Sequence, residues 1–316
     1  MRILRRYISD GTRAPITSGF RDSVASIARR VGVDEDTVRH RLKRIEGSGF
    51  IQDWRLYVNA SLWGGGNVQI RFDVESTAPK SAIVERLRLV PGMTHVAVFY
   101  DSLVALFEYE DASALPRQIE LVRRLVEAPE VFVARDAFPP CALSLTACDW
   151  DLIRALRRDP RRSYVELAAA AQVSPRTARA RLSRLLAGGV AFAWPTLNMR
   201  APLDGMSVQL EVRYPGERKA AVDAAIASHA EAYHWHTVHL IPFRPADLWP
   251  CGYHLIVPNL SVARDLLEWA QRVPGVSHAR LYVYEDLVTF FEEYDQALDW
   301  RLSRMPTARR LASRRS

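Results

Sequence analysis

The sequence has few cysteines and no long apolar run, and both absences limit what the protein can be. Its three cysteines, Cys141, Cys148 and Cys251, form no CxxC pair and no even set. A disulfide framework needs paired cysteines and an oxidising compartment, so we expect reduced thiols in a cytoplasmic protein. No stretch of about 18 apolar residues occurs, and no signal-peptide core follows the basic N-terminus, so we expect neither a membrane-spanning helix nor a secretory leader.

Sequence patterns of the common enzyme classes are also missing. No Ser/His/Asp order, glycine-rich phosphate loop or pair of catalytic carboxylates stands out. We therefore predict that the chain is not an enzyme and that it needs no metal and no cofactor.

Histidines are the one chemically suggestive group. Five of the eight lie between 229 and 254, interleaved with aromatics as YHWHTVH. In a strand, His234 and His236 would share one face, and Trp235 and His239 the other. Two histidines on one face could bind a metal or a tetrapyrrole, but unliganded, half-buried histidines on a sheet are the more frequent case.

Basic residues exceed acidic ones, and the excess is uneven along the chain. The formal net charge is +7 and the pI is about 9.5, which favours a polyanionic partner. The segment 301–316 alone holds six arginines and no acidic residue. We predict that residues 300–316 form a disordered basic tail that adds nonspecific affinity for phosphate groups.

The sequence repeats itself at one constant offset, which matches Ser23 with Ser163 at one end and Gln69 with Gln209 at the other. Identical pairs between these limits include Ala28/Ala168, Val33/Val173, Thr37/Thr177, Arg39/Arg179, Arg41/Arg181, Leu42/Leu182, Arg44/Arg184, Gly49/Gly189, Trp54/Trp194 and Val68/Val208. A single register over this length indicates a duplication, so we expect two copies of one structural unit.

The first part of each unit is helical. In the second unit, DWDLIRALRRDPR and SYVELAAAAQ predict two helices, and Ser174 and Pro175 are the cap and first residue of a third. That helix ends at Gly188-Gly189 and is followed by VAFAWPTLNM, a short strand or wing. Three short helices and a wing are typical of a winged helix-turn-helix domain. The first unit follows the same plan, with ILRRYISDGTR as its first helix and APITSGF as an inserted loop.

The second part of each unit alternates strands and helices in the order βαββαβ, the ferredoxin-like arrangement. We therefore predict an α+β protein in which two winged helix-turn-helix domains, 1–60 and 145–200, alternate with two ferredoxin-like domains, 64–140 and 204–292. Because such a sheet has helices on one side only, we expect the two sheets to pack face to face.

This order is carried by DWDLIRALRRDPRRSYVELAAAAQVSPRTARARLSRLLAGGV and LVPGMTHVAVFYDSLVALFEYED, and it resembles the Lrp/AsnC family of bacterial and archaeal regulators, written twice. The resemblance covers nearly the whole chain apart from the tail. It implies RAM-type ferredoxin-like domains that sense a small-molecule effector and dimerise, so that one chain is a covalent pseudo-dimer that assembles into a larger homo-oligomer. The family's effector site lies near the central hairpin, where FYDSL keeps Tyr100 and Asp101 but lacks the family's glycine.

The third helix of the second unit is the stronger candidate for DNA recognition. Its span 174–187 holds four arginines and no acidic residue. A solvated basic face is the alternative for any arginine-rich helix, but a capped helix-turn-helix pattern favours contact with double-stranded DNA. The predicted contacts are Arg176, Thr177, Arg179 and Arg184.

In the first unit the corresponding helix is charge-neutral. Acidic residues at Asp34, Glu35 and Asp36 suit the positive end of the helix dipole but repel phosphate. We expect a weaker DNA contact here than in the second unit. The predicted contacts are Thr37, Arg39, His40 and Lys43.

One arginine in each of these two helices lies beside the buried leucine, and we expect it to stabilise the fold instead of contacting DNA. We predict that Arg41 and Arg181 pair with an acid of their own small domain, such as Asp22 or Glu166.

One class of enzyme resembles the same architecture. The siroheme decarboxylases of haem synthesis use paired sheet domains as an active site, but they typically lose the basic helix that residues 174–187 keep. We therefore predict a sequence-specific transcriptional regulator of the Lrp/AsnC type. A tetrapyrrole-modifying enzyme is the alternative, and a sensor that does not bind DNA is a third.

Overall fold

A computed structural model describes residues 3–5, 21–128, 130–136, 141, 143–201, 203, 205–243 and 248–306. Its helices are α1 (Val24–Val31), α2 (Glu35–Gly47), α3 (Lys80–Leu87), α4 (Leu115–Val126), α5 (Ala147–Arg158), α6 (Tyr164–Ala171), α7 (Pro175–Ala187), α8 (Lys219–His229), α9 (Leu260–Gln271) and α10 (Phe291–Arg304). Its strands are β1 (Ile51–Val58), β2 (Gly66–Asp73), β3 (Met93–Phe99), β4 (Ser102–Tyr109), β5 (Phe132–Asp136), β6 (Ala191–Leu197), β7 (Met206–Tyr214), β8 (His234–Pro242), β9 (Trp249–Val257) and β10 (His278–Thr289).

Side-chain caps begin the helices of the second helical unit, as its sequence predicts. Thr146 and Ser163 form capping boxes with Asp149 and Glu166, and the Ser174 hydroxyl accepts a hydrogen bond from the Thr177 amide. Pro175 occupies the first turn of α7. The three predicted helices of this helix-turn-helix domain are therefore present.

In the first helical unit, α1 and α2 repeat the last two of these helices. Ser23 and Asp34 cap them, and Gly32 ends α1 in the left-handed region at φ 75°. The predicted first helix is helical at residues 3–5, and the rest of it, together with the predicted APITSGF loop, lies outside the described residues.

A strand follows each third helix, as predicted, but it does not fold back into the hairpin of a wing. Only one strand follows each helix, and β1 and β6 pair with each other antiparallel, with Trp54 opposite Pro195 and Arg55 opposite Trp194. Each strand thus satisfies its backbone groups against the equivalent strand of the other unit instead of folding into a hairpin. The two-stranded sheet joins the two helical units.

The remaining eight strands form one closed sheet in the order β10-β3-β4-β2-β5-β8-β9-β7. The four strands from β2 to β5 are adjacent in this order, as are the four from β7 to β10, and the pairs β5–β8 and β10–β3 join the two halves. Helices pack on the outer face of each half, so the two helix-free faces lie opposite each other across the interior. The predicted domain boundaries are not tested by this arrangement and stay a prediction.

A buried ion pair crosses that interior. Arg71 on β2 and Glu211 on β7 belong to strands that lie opposite each other in the closed sheet, and their side chains are 7% and 1% exposed. The Arg71 guanidinium donates to the Glu211 carboxylate and lies 3.9 Å from the centroid of the Tyr282 ring. Both charges are therefore neutralised without access to bulk water.

The predicted disordered tail is wrong at its start. Helix α10 continues to Arg304 because its apolar residues Tyr294, Leu298 and Leu302 pack into the core of the second helical unit. Arg301 is buried and donates to Glu108 and Glu110, over 3.3 and 2.7 Å. Residues 307–316 lie outside the described residues. Among the described helices, none combines the length and apolar character that a bilayer crossing requires.

We expect Glu211→Leu to lower the free energy of unfolding by about 3–5 kcal/mol, because it leaves the Arg71 charge buried without its partner. Urea denaturation measures the change. The double variant Arg71→Met/Glu211→Leu should regain most of the loss, since it removes both charges. Glu120→Gln, in an exposed pair, is the control and should cost less than about 1 kcal/mol. An equally small loss of unfolding free energy in Glu211→Leu and Glu120→Gln would contradict the importance of the buried pair.

Candidate functional site: a basic recognition helix and a central cavity

Helix α7 presents a basic surface from the second helical unit. Ala178, Leu182 and Leu185 are buried, and the opposite face carries exposed Arg176 and Arg179. Arg176 makes no hydrogen bond or ion pair among the described residues. The Arg179 guanidinium lies 5.7 Å from the centroid of the Tyr164 ring, a contact that orients it without neutralising it.

Two further arginines of α7 serve the fold of the same small domain. Arg181 and Arg184 donate to the buried Asp149 carboxylate over 3.1 and 2.8 Å. Burial alone would raise the pKa of Asp149, but hydrogen bonds from Thr146 and Arg181 lower it overall. Arg184, predicted to contact DNA, therefore spends part of its donor capacity inside the domain.

Glu166 and Asp22, the predicted partners of these structural arginines, are engaged elsewhere. Glu166 accepts from Ser163 in a capping box, and Asp22 pairs with Arg30 at 2.9 Å. Arg181 does pair with an acidic residue of its own small domain, as predicted. The predicted partner, Glu166, is wrong: the acid is Asp149, which lies on α5, a helix that packs against α7.

Helix α2 carries a surface in which opposite charges already pair. Arg39 donates to Glu35 and Asp36 over 2.8 and 2.7 Å, and Thr37 donates to the Asp34 carboxylate over 2.7 Å. These hydrogen bonds from Thr37 lower the pKa of Asp34. The two other predicted contacts, His40 and Lys43, are exposed. The first turns of α2 thus carry paired charges, whereas the first turns of α7 carry Arg176 and Arg179 without an acidic partner in the described part of the chain.

The predicted effector residues do not lie in a cavity. Tyr100 is 57% exposed in the turn between β3 and β4, and Asp101 beside it accepts from Arg280 over 2.8 Å. Lys80 donates to the Tyr100 carbonyl over 2.7 Å. The turn is consequently an outer surface of the closed sheet.

A cavity of about 170 Å³ lies inside the closed sheet, between its two helix-free faces and the β1–β6 pair. Four of its lining residues are histidines, His95 of β3, His236 and His239 of β8 and His254 of β9, and the three considered below share the lining with aromatic residues. The histidines and aromatic residues considered below are His95, Trp194, Trp235, His236, His254 and Tyr284. The interior therefore combines imidazole nitrogens with apolar ring surfaces.

A β-bulge sets which histidines face this cavity. The register of β8 against β9 shifts between His234 and His236, so that Trp235 and His236 both line the interior. His234 lies outside the cavity lining, where its Nε2 is 2.7 Å from the Thr237 hydroxyl and its ring contacts Tyr253. The predicted sharing of one face by His234 and His236 is wrong because a bulge breaks the alternation of a regular strand.

Burial keeps the cavity histidines neutral. It lowers the pKa of His95 to about 4 and that of His254 to about 3, and it lowers the pKa of His236 well below its usual value. The Tyr284 hydroxyl is 2.9 Å from His254 Nδ1, and the rings of His236 and His254 are 5.3 Å apart. Neutral imidazoles can each accept or donate a hydrogen bond.

Four polar atoms of residues that line the cavity are buried and have no hydrogen-bond partner within the described part of the chain. They are Asn67 Oδ1, Arg71 Nε, Trp235 Nε1 and His254 Nε2. Native proteins satisfy nearly all buried polar groups, so such atoms indicate where a bound molecule or water would add a partner.

Glu108 adds a titratable group at the edge of the cavity. Burial raises its pKa to about 7, although Arg301 acts in the opposite direction. Sequence reasoning missed Glu108, His95 and Arg71, because polar residues at alternate strand positions are usually expected on a solvent-facing side.

The helical unit that carries α7 is matched by a known family. The AsnC-type helix-turn-helix domain matches residues 145–186. The chain contains an AsnC-type helix-turn-helix domain. The match coincides with α5, α6 and the length of α7 up to Leu186.

Two curated relatives are named as HTH-type transcriptional regulators. An uncharacterised HTH-type transcriptional regulator of Pyrococcus furiosus is 25% identical over 97 residues, which are 30% of this chain and 65% of the relative. One from Pyrococcus horikoshii is 25% identical over 84 residues, 26% of this chain and 56% of the relative. The chain thus spans less than two thirds of the length of either relative.

Across almost its whole length the chain has the fold of an enzyme. The crystal structure of the siroheme decarboxylase NirDL superposes with a TM-score of 0.55 at 14% identity and covers 96% of this chain and 99% of that one. This finding overturns the prediction that the chain is not an enzyme. That prediction depended on missing catalytic patterns and on the retained basic helix, and neither feature of the sequence reveals the fold that the whole chain adopts.

We expect acid to destabilise the protein below about pH 6.5. The unfolded chain then binds protons at its histidines, while half-buried His95, whose pKa is lowered to about 4, stays neutral in the fold. Replacing His95 with Gln should reduce the slope of unfolding free energy against pH by about 1.4 kcal/mol per unit between those values. Urea titrations across the range measure the slope.

The test depends on the difference between the variant and the parent in the slope of unfolding free energy against pH. Glu108, whose pKa is raised to about 7, contributes a slope of opposite sign because the folded state retains its proton longer than the unfolded chain. His40→Gln, on the exposed surface of α2, is the matched control. A His95→Gln slope equal to that of the parent would show that His95 is not held neutral.

Proposed function

We propose that the protein is a sequence-specific transcriptional regulator of the Lrp/AsnC type that binds double-stranded DNA. The observation that carries this proposal is the pair of exposed arginines, Arg176 and Arg179, near the N-terminus of α7 in an AsnC-type helix-turn-helix domain. Residues at this end of a recognition helix reach base edges and phosphates in the major groove.

The two helical units contribute unequally to that binding. Arg176 carries a cation that no acid compensates among the described residues, whereas Arg39 of α2 is engaged by Glu35 and Asp36. Freeing Arg39 for a phosphate would first require those two pairs to break. We assign α7 as the main reader and α2 as a weaker contact that adds affinity on a neighbouring part of the site.

The chain acts as a fused pair of regulator units in this proposal. The sequence repeat and the two halves of the closed sheet support a duplicated unit with RAM-type ferredoxin-like domains. Further association into a homo-oligomer is the expectation from the same resemblance, and the mass in solution tests it.

The central cavity is the site that we propose for a small-molecule effector. Its volume of about 170 Å³ is below the ~300–1,000 Å³ of pockets for drug-sized ligands, so it suits a molecule of amino-acid size. The unpartnered His254 Nε2 and Trp235 Nε1 offer it hydrogen bonds. This site replaces Tyr100 and Asp101 as our candidate for effector binding.

We expect Arg176→Ala/Arg179→Ala to weaken DNA binding more than Arg39→Ala/Lys43→Ala does. A base-edge contact contributes roughly 1–3 kcal/mol of discrimination, so the first double variant should lose tenfold or more in affinity. A lost phosphate contact would instead lower affinity for all sequences and flatten the salt dependence by about one unit per residue. A competition gel shift on DNA upstream of the protein's own gene compares both variants at several salt concentrations.

Equal circular-dichroism spectra and unfolding midpoints serve as the folding control for both double variants. A larger loss in the α2 variant would assign recognition to the first unit. Unchanged affinity in both variants would contradict DNA recognition by either helix.

A tetrapyrrole enzyme is the second candidate, and the fold shared with the siroheme decarboxylase NirDL over 96% of the chain favours it. NirDL has also been crystallised with an iron-uroporphyrin III analogue. In this chain His95, His236 and His254 would face such a ligand, but a tetrapyrrole exceeds a cavity of about 170 Å³, so the two halves would have to separate to admit it.

Titration with an iron porphyrin bearing carboxylate side chains tests this second function. If it holds, the Soret band shifts, and His236→Ala/His254→Ala removes the shift while His40→Ala does not. No shift in the parent protein would exclude the second candidate and leave the DNA experiment unaffected.

A further inference from the structure

A polar cluster lies between α8 and the second half of the closed sheet, and its histidine, His239, also lines the edge of the cavity. Asp223 comes from α8, His239 from β8 and Cys251 from β9, and one donor atom of each lies within 4.8 Å of the other two. His239 Nδ1 is 3.3 Å from Cys251 Sγ and 3.9 Å from Asp223 Oδ2. Ligands of a tetrahedral zinc ion are about 3.3–3.8 Å apart, since zinc bonds to nitrogen, oxygen and sulfur measure about 2.0–2.3 Å.

The first half of the sheet is apolar at the equivalent positions. Cys251 pairs with Val212 of β7, and Leu103 pairs in the same way with Phe72, the residue that the sequence repeat aligns with Val212. His239 pairs with Cys251 as Val98 pairs with Leu103, and the constant offset of the repeat aligns Asp223 with Ile83. The three residues of the first half, Ile83, Val98 and Leu103, belong to its buried core.

A core that only had to pack would keep those apolar residues in both halves. Polar groups at a helix–sheet interface cost free energy unless they are fully hydrogen-bonded, and the first half shows that the fold does not need them. The second half has acquired an acid, an imidazole and a thiol at three contacting positions. That set is typical of transition-metal ligands.

Neighbouring side chains orient the three donor atoms toward a common point. Tyr214 and Tyr253 donate to Asp223 Oδ1 over 3.2 and 2.6 Å, which leaves Oδ2 on the side of the cluster. The Lys219 ammonium donates to Asp223 Oδ2 over 2.6 Å and lies 2.8 Å from His239 Nδ1. Because an ammonium group can only donate, the Nδ1 lone pair must point into the cluster.

We propose that Asp223, His239 and Cys251 bind a divalent transition metal ion, Zn²⁺ by the chemistry of its ligands. In this structure the Lys219 ammonium lies between Asp223 and His239, where the metal ion would bind. Its side chain is 36% exposed at the start of α8, so it can swing into solvent when a metal ion arrives. On coordination the Cys251 thiol loses its proton to solvent and a sulfur–metal bond forms. Solvent water completes the coordination of the ion.

Cobalt substitution tests the site directly in the full-length protein. After chelation and buffer exchange, Co²⁺ should produce a thiolate-to-cobalt charge-transfer band in the near ultraviolet and the intense visible bands of tetrahedral coordination. Added Zn²⁺ should abolish both. Cys251→Ser should lose the charge-transfer band, and Cys148→Ser, which changes a half-buried thiol outside the cluster, should retain it.

A second variant keeps the test decisive if Cys251→Ser does not fold. Lys219→Met removes the competing cation and should raise Co²⁺ affinity by about tenfold or more, because two cations no longer share the same ligands. An absence of both bands in the parent and in Lys219→Met, with each protein folded, would show that the cluster is only a hydrogen-bonded ion-pair network.

Discussion

The closed sheet depends on how two opposing charges meet in its interior. Arg71 and Glu211 lie on strands that face each other, and they occupy equivalent positions of the two sequence repeats. Two identical subunits would place arginine against arginine or glutamate against glutamate at this point, and like charges in a dry interior repel strongly. Opposite charges at equivalent positions are available only where the two copies can differ in sequence, as two repeats in one chain do. The pair therefore fixes the mutual position of the two halves and makes the interior asymmetric.

The same freedom to diverge explains other differences between the halves. Helix α7 begins with Ser174 and Pro175, and its exposed arginines are free of acids at that end, whereas α2 begins with Asp34 and engages Arg39 locally. Either cap satisfies the first amides of a helix, so the fold accepts both, but only one leaves a positive surface. On the sheets, an apolar core around Leu103 is matched by a polar cluster around Cys251. In each case the two halves share a backbone arrangement, and the polar or charged residues lie in one half.

Local sequence rules predicted the parts of the fold that local rules govern. The cap at Ser174 and the stop at Gly188-Gly189 define α7, and alternating apolar residues define the strands of the closed sheet. The candidate site was less predictable because it depends on partners distant in the chain. The bulge in β8 exchanges the faces of His234 and Trp235, and no residue in that stretch of sequence predicts a bulge. Residues such as Arg71, polar at alternate positions of β2, resemble a solvent-facing set until the other half of the sheet covers them. For α10, whose arginines suggested a tail, the decisive apolar contacts come from a unit more than a hundred residues earlier.

A short stretch of chain connects the central cavity to helix α7. Trp194 of β6 contacts the His236 ring in the cavity, with ring centroids 4.5 Å apart, and β6 begins at Ala191, just after α7 ends at Ala187. The linking residues cannot absorb much movement, since Val190 is fully buried and Gly189 holds a left-handed turn at φ 65°. A ligand that displaced the Trp194 ring would therefore act on a strand whose start is fixed to the base of α7. The paired strand β1 follows α2 in the same way, and Tyr57 of β1 stacks on Phe192 of β6 with ring centroids 5.4 Å apart. Under the proposed function, occupancy of one central cavity would thus change the position of both helices that face DNA, and the unequal charges of α2 and α7 would decide which half of the binding site responds more.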